Sequence, residues 1–284
     1  NDSAATYTAS VIQDFAENVS IFAVYMQKFD DIEWALENLQ PDIISVSRFY
    51  TKSPNTYDNY SRWIDAIVNQ YDITCIVAAG NDASNNTHTV SSPAQGYNTI
   101  AVGAYSTSGY PMGDHMYNYR YNGVLETNQC SFKPDVVVAA DDTNTASAEL
   151  TGMVALMMEE DTYIKSQPEI VKAILMASCH RKVHPFGSFM QEDIYTGLTE
   201  RQGAGAFDAY RAVQTVSRGY YGFDTVSSQP KMLIGYLCNS NINNAMNISM
   251  SWLRANTNPY YDGVTVGANV GNLQDINLYI KDQF

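Results

Sequence analysis

The sequence predicts an α/β fold: a doubly wound parallel sheet with helices on both faces, followed by a C-terminal β-sandwich-like segment. Three observations carry this. Short apolar runs bounded by Gly, Asn, Ser or Pro recur at residues 41–47, 74–79, 99–104 and 133–140. Their continuous hydrophobicity, without alternation, is that of strands covered on both faces. Stretches of helical character separate several of these runs, and strand–helix–strand order of this kind builds parallel sheets. From Arg218 onward the pattern changes to alternation broken by Asn, Ser and Gly, as in antiparallel β structure.

In chain order, residues 4–15 lack breakers and carry small residues on one face, which suits a helix packed closely into a core. Residues 19–25 (VSIFAVY) read as a strand. Residues 29–39 read as an amphipathic helix with Ile32, Trp34, Ala35 and Leu39 as its apolar positions. A helix over 57–70 leads to the 74–79 strand. After the 99–104 strand, the polar, tyrosine-rich segment 105–129 reads as surface loop and hairpin, with turn signals at Ser108-Gly109 and Asn122-Gly123. Pro168 marks a helix start. Beyond 218, residues 231–237, 247–253 and 277–280 read as strands.

Composition narrows the function classes. A chain of 284 residues can bury a large core in one or two domains; the pattern change divides it into 1–217 and a β-rich unit, 218–284, with fewer strands than a finished sandwich needs. With a net charge of −14 and no basic stripe, nucleic acid is not an expected partner. No apolar run reaches membrane-spanning length. The chain begins at Asn1 without an initiator Met and reads as a trimmed fragment. The four cysteines, Cys75, Cys130, Cys179 and Cys238, form no C-x-x-C pair and read as free structural thiols. His180 and His184 are four apart, but Arg181, Lys182 and Pro185 suggest a helix end, so no metal site is expected.

The chemistry centres on residues 73–104. Gly80 and Asn81 stand at the carboxyl end of the 74–79 strand, where open α/β sheets place ligands. A side-chain amide there can donate to charge developing on a substrate oxygen.

At this point the chain resembles the subtilisin-like serine peptidases. Ala78-Ala79-Gly80-Asn81 is similar to the family's A-A-G-N, and Ser92-Pro93-Ala94 through Ile100-Ala101-Val102-Gly103-Ala104 to its Y-P-A…V-I-A-V-G-A block. Lys133-Pro134-Asp135-Val136-Val137 resembles K-P-D-V-V, and residues 167–178 and 202–213 resemble the family's T-P-x-x-V-K and Q-G-A-G-x-x-D-A helices. The resemblance spans about residues 4–216. It implies a subtilisin-like fold, peptide-bond hydrolysis as the family reaction, a peptide or protein as partner, and an extracellular or cell-surface setting. It implies no cofactor; structural calcium occurs in the family, with no site identified here. Oligomeric state is not implied.

Carried over residue by residue, the resemblance makes Asn81 the oxyanion donor. It places Ala4 where the family has its catalytic histidine, and Asn144 where it has its serine, or Ala146 if the helix start is shifted by two residues. A methyl group cannot take a proton, and neither Asn nor Ala can form an acyl-enzyme. The family's catalytic Asp lies on a strand upstream of the histidine helix, a region this chain does not contain. Ser47, Arg48, Phe49, Ala79 and Gly80 fall at the substrate-binding positions, with Arg48, Phe49 and Tyr50 standing where the family has L-G-G, so that bulky side chains replace glycines that allow close approach.

The sequence therefore predicts a peptidase-family domain inactive as written. The alternative is a natural pseudopeptidase that serves as a peptide-binding or regulatory scaffold. A third reading, a hydrolase using Ser147 with His180, rests only on the presence of a nearby hydroxyl and an imidazole.

Overall fold

The computed structural model describes residues 3–25, 29–47, 58–81, 90–105, 111–112, 133–180, 198, 202–223, 247–251 and 253. Within them the helices are α1 (Ser3–Phe15), α2 (Phe29–Leu39), α3 (Asn59–Tyr71), α4 (Thr143–Glu160), α5 (Pro168–Ala177) and α6 (Ala209–Ser217). The strands are β1 (Ile43–Val46), β2 (Thr74–Ala78), β3 (Ile100–Tyr105), β4 (Pro111–Met112) and β5 (Val136–Ala139).

Local chemistry sets the helix starts. The side chains of Asp58, Asp142 and Asp208 accept from the backbone N–H groups of Ser61, Thr145 and Arg211, capping α3, α4 and α6. α5 begins instead at Pro168, whose missing N–H is no loss in a first turn.

β1, β2, β3 and β5 pair in parallel in that order, with Ser45 opposite Ile76, Ile76 opposite Ile100 and Val102 opposite Val136. β4 runs antiparallel to β3, Met112 opposite Ala104, which is the pairing expected on either side of the Ser108-Gly109 turn signal. Single bridges from Val137 to Ala206 and from Ala206 to His180 continue the sheet past β5.

Strand periodicity sorts the core onto two faces. Ile76, Ile100, Val102, Val136 and Val138 pack with Leu150, Val154 and Met157 of α4, Val171 and Leu175 of α5, and Ala212 and Val216 of α6. Cys75, Val77 and Ala101 pack on the other face with Trp63, Ile64, Ile67 and Val68 of α3 and Leu36 of α2. Both faces are covered, as the unbroken apolar runs required.

A buried ionic network braces the amino ends of β3 and β5. The Lys133 ammonium donates to Asp135 Oδ2 (2.7 Å) and to the Thr99 carbonyl (3.1 Å). Lys172 of α5 meets Asp135 Oδ1 (3.1 Å) and donates to the carbonyls of Tyr97 and Thr99. Asp135 Oδ2 also accepts from the Ala101 N–H (2.7 Å). One carboxylate thus joins two strands and a helix. Asp65 of α3 does similar work nearby, accepting from the N–H groups of Tyr97 and Asn98.

Two expected strands are corrected. Residues 19–25 belong to no ladder among the described residues, and Phe22, Val24 and Tyr25 are exposed. Residues 247–251 and 253 also form no strand; the Asn247 side-chain amide donates to the Cys179 carbonyl (2.9 Å) and Leu253 packs on the α3 face. In both cases a run with strand composition has no neighbour among the described residues that turns it into a ladder. The expected strands at 231–237 and 277–280 lie outside the described residues. Cys75 and Cys179 are free and buried, and Cys130 and Cys238 lie outside.

Candidate functional site

The carboxyl end of β2 and the amino end of α4 meet through Gly80, Asn81 and Thr143. Gly80 has φ +118, a conformation that L side chains rarely adopt, and its N–H donates to Thr143 Oγ1 (3.1 Å). Thr143 in turn donates twice to Asn81 Oδ1, from its hydroxyl (2.9 Å) and from its backbone N–H (3.0 Å). A backbone N–H can only donate, so the oxygen end of the Asn81 carboxamide is fixed against α4 and the amide nitrogen points away from Thr143. Asn81 itself is exposed.

The first turn of α4 leaves one donor open. The Thr143 N–H goes to Asn81, the Thr145 N–H to Asp142 Oδ1 (2.7 Å) and the Ala146 N–H to the Asp142 carbonyl (3.0 Å). The N–H of Asn144 has no hydrogen-bond partner among the described residues. Thr143 therefore holds the Asn81 amide and is followed by a backbone N–H that is unclaimed among the described residues. Both groups are donors at a helix start, and such a setting favours electron-rich oxygen.

Thr143 has no role in the sequence analysis. The structure gives it one: it holds Asn81. Thr143→Val keeps the shape, strands the Gly80 N–H and removes one of two donors from Asn81. A loss of about 1–2 kcal/mol in denaturant unfolding is expected, with a shifted Asn81 side-chain amide resonance as the local readout.

The other predicted positions sort as follows. Asn144 is the second residue of α4 and partly exposed. Ala146 is buried at 0% exposure in the α4 face of the core, so the shifted assignment would place the motif serine inside the protein. Ala4 lies in the first turn of α1 and is exposed. Helix α1 packs on α4, where Ala148 meets Val11 and Ile12, and Gly152 lies against Ile12 and Phe15. Both helices advance in the same direction through this contact, which carries their first turns toward the same end of the pair.

Ser47 follows β1 and is partly exposed. Ala79 is buried, its N–H bound to the Val102 carbonyl and its carbonyl to the Ser91 N–H; it supports Gly80 and presents no surface of its own. Gly80 is likewise buried. Arg48 and Phe49 lie outside the described residues.

Ser147 is fully buried and donates to the Asn144 carbonyl (2.9 Å), while His180 bonds Asp208 Oδ2 (2.7 Å). They make no hydrogen bond to each other. Burial pushes the thiols of Cys75 and Cys179 well above their ordinary range, which keeps them protonated and unreactive. Among the described residues no three His, Cys, Asp or Glu side chains are grouped to hold a metal ion, and no helix is long and apolar enough to cross a membrane.

The Asn81 carboxamide at the end of β2 and the start of α4 beside it stand at the carboxyl end of a parallel sheet, where open α/β sheets place ligands. A model of the subtilase family matches residues 6–205, and the chain belongs to that family. Among solved structures, it is similar to the patellamide maturation protease PatA, at 19% identity and a TM-score of 0.47 over 67% of each chain. It is similar to the prenylagaramide maturation protease PagA, at 18% identity and TM-score 0.47 over 70% of each chain. It is also similar to the subtilase cytotoxin SubAB, at 15% identity and TM-score 0.48 over 76% of this chain and 77% of that one. A search of curated protein sequences finds no match.

Proposed function

We propose that this subtilase-family domain binds an extended peptide at the carboxyl end of its sheet and, as written, does not cleave it. One observation carries the reading. The Asn81 carboxamide is clamped by Thr143 with its nitrogen turned away, and Thr143 is followed directly by Asn144, whose N–H has no partner among the described residues, which supports a pair of donors for a carbonyl oxygen. By the resemblance, the positions of the proton acceptor and the attacking oxygen fall on Ala4 and on Asn144, or on Ala146 if the helix start is shifted. None of these can perform the step. Binding without turnover is what remains. Ser47 and Gly80 border this end of the sheet, and Arg48 and Phe49 follow Ser47 in the chain.

The same family, with members that act outside cells, supports an extracellular or cell-surface setting. The test is direct. An acetylated, amidated apolar hexapeptide is expected to bind in a titration and to be recovered intact, and a serine-directed fluorophosphonate is expected to leave the chain unlabelled. Steady hydrolysis, or a label on Ser147, overturns the reading. The parental gene then separates two origins. Ala and Asn at positions 4 and 144 there make this a natural pseudopeptidase and favour a regulatory, peptide-binding role; His and Ser make it an inactivated peptidase.

A further inference from the structure

The motif Asn-x-Ser/Thr, which N-linked glycosylation requires, occurs at Asn1, Asn18, Asn59, Asn85 and Asn247. Asn1 and Asn85 lie outside the described residues. The structure separates the other three. An acceptor needs its carboxamide at the surface and the hydroxyl of its motif free to meet the transferring enzyme. Asn59 is exposed but opens α3, and the hydroxyl of its motif belongs to Ser61, which is fully buried with Oγ 3.3 Å from Ser92 Oγ. Asn247 is partly buried, and its Nδ2, the atom a glycan would occupy, already donates to the Cys179 carbonyl.

Asn18 meets both conditions. The chain turns as it leaves α1, the Val19 N–H donating to the Ala16 carbonyl (3.2 Å), and Asn18 stands in that turn. Asn18 and Ser20 are both exposed, and neither side chain makes a hydrogen bond among the described residues. Val19 between them packs instead with Val11, Ile12 and Ala148, which anchors the motif and leaves its two polar ends outside. Directly beyond lie Phe22, Val24 and Tyr25, all exposed, in a run that joins no ladder among the described residues. A bare apolar run of strand composition invites pairing with another chain.

We propose that Asn18 carries an N-linked oligosaccharide that covers this run. A C–N bond forms between Asn18 Nδ2 and the anomeric carbon of an oligosaccharide delivered as a lipid-linked pyrophosphate. The anomeric C–O bond breaks, the lipid pyrophosphate leaves with the electron pair, and Nδ2 gives up one proton to the transferring enzyme. No oxidation or reduction is involved.

The inference rests on the extracellular setting proposed above, since the transfer belongs to secretion, and the test keeps the two apart. The full chain, given a secretory leader, is produced in a eukaryotic cell, and the secreted product is mapped peptide by peptide. Glycan is expected on Asn18, and it is expected to vanish in Asn18→Gln and in Ser20→Ala, which leaves the carboxamide itself untouched. Asn59 and Asn247 are expected bare. In sedimentation the bare Asn18→Gln chain is expected to self-associate more than the glycosylated one. A secreted chain bare at Asn18 overturns this inference alone. A glycan on Asn18 whose loss leaves sedimentation unchanged overturns its covering role. Recovery of the natural protein from inside its cells overturns the extracellular setting, whatever the secreted product carries at Asn18.

Discussion

Asp135→Asn is expected to destabilise the chain by about 3–5 kcal/mol, because it leaves the ammonium groups of Lys133 and Lys172 facing each other in the interior. Lys133 is almost fully buried, and its bonds run to Asp135 and to the Thr99 carbonyl. Burial pushes its ammonium down to about 8 even with Asp135 beside it. Burial alone would raise the Asp135 carboxyl, but the attraction of Lys133 and then Lys172 outweighs it, and the carboxyl is held below its ordinary value of 3.8.

The signs of the pH dependence follow. The unfolded chain takes up the Asp135 proton first on acidification, so the contribution is complete above that ordinary value and is lost as pH falls through the lower folded value. Lys133 acts in the alkaline range. Its folded form releases a proton before the unfolded form does, so the penalty of its buried charge is relieved as pH rises from about 8 toward the ordinary lysine value of 10.5. Thermal melts across pH are the measurement. The natural chain should lose stability on the acid side where Asp135→Asn has already lost it. If Asp135→Asn unfolds within about 1 kcal/mol of the parent, the pair is not the brace described.

Gly152→Ala is expected to destabilise by about 1–3 kcal/mol through overpacking, and to change the site as well. A Cβ at this position would lie 2.7 Å from Phe15 Cβ and 2.8 Å from the Ile12 carbonyl oxygen. The second contact is with backbone, which cannot swing aside as a flexible side chain can. The helices α1 and α4 must separate, and with them the turns that carry Ala4 and Asn144. Peptide titration should weaken along with the denaturant midpoint. Gly222→Ala is the control, because a Cβ there meets nothing within 4 Å and its backbone is outside the left-handed region. Equal effects at both positions would mean that helix contact is not what matters.

Much of this fold is written locally. The strands β1, β2, β3 and β5 coincide with unbroken apolar runs because burial on both faces leaves no polar alternation to confuse the reading. Helix α4 starts where Asp142 can cap it. The VSIFAVY run at 19–25 has the β-branched and aromatic content of a strand, yet strand formation needs a partner edge, and no composition supplies that. The site divides in the same way. Gly80 and Asn81 could be read from their place after an apolar run. The clamp by Thr143 could not, since it joins residues 62 apart in sequence and depends on how α4 docks. The difference in burial between Asn144, partly exposed, and Ala146, buried, could not be read either, because both stand in one helix start.

The short tail segment at 247–253 has a practical consequence. Asn247 is tied to the Cys179 carbonyl, beside the α4 and α5 layer, while Leu253 reaches the α3 layer. A truncated expression product ending at residue 223 would forfeit both attachments at once. It would display a raw greasy seat where Leu253 had been, and its poor behaviour in solution could be mistaken for a defect of the catalytic half.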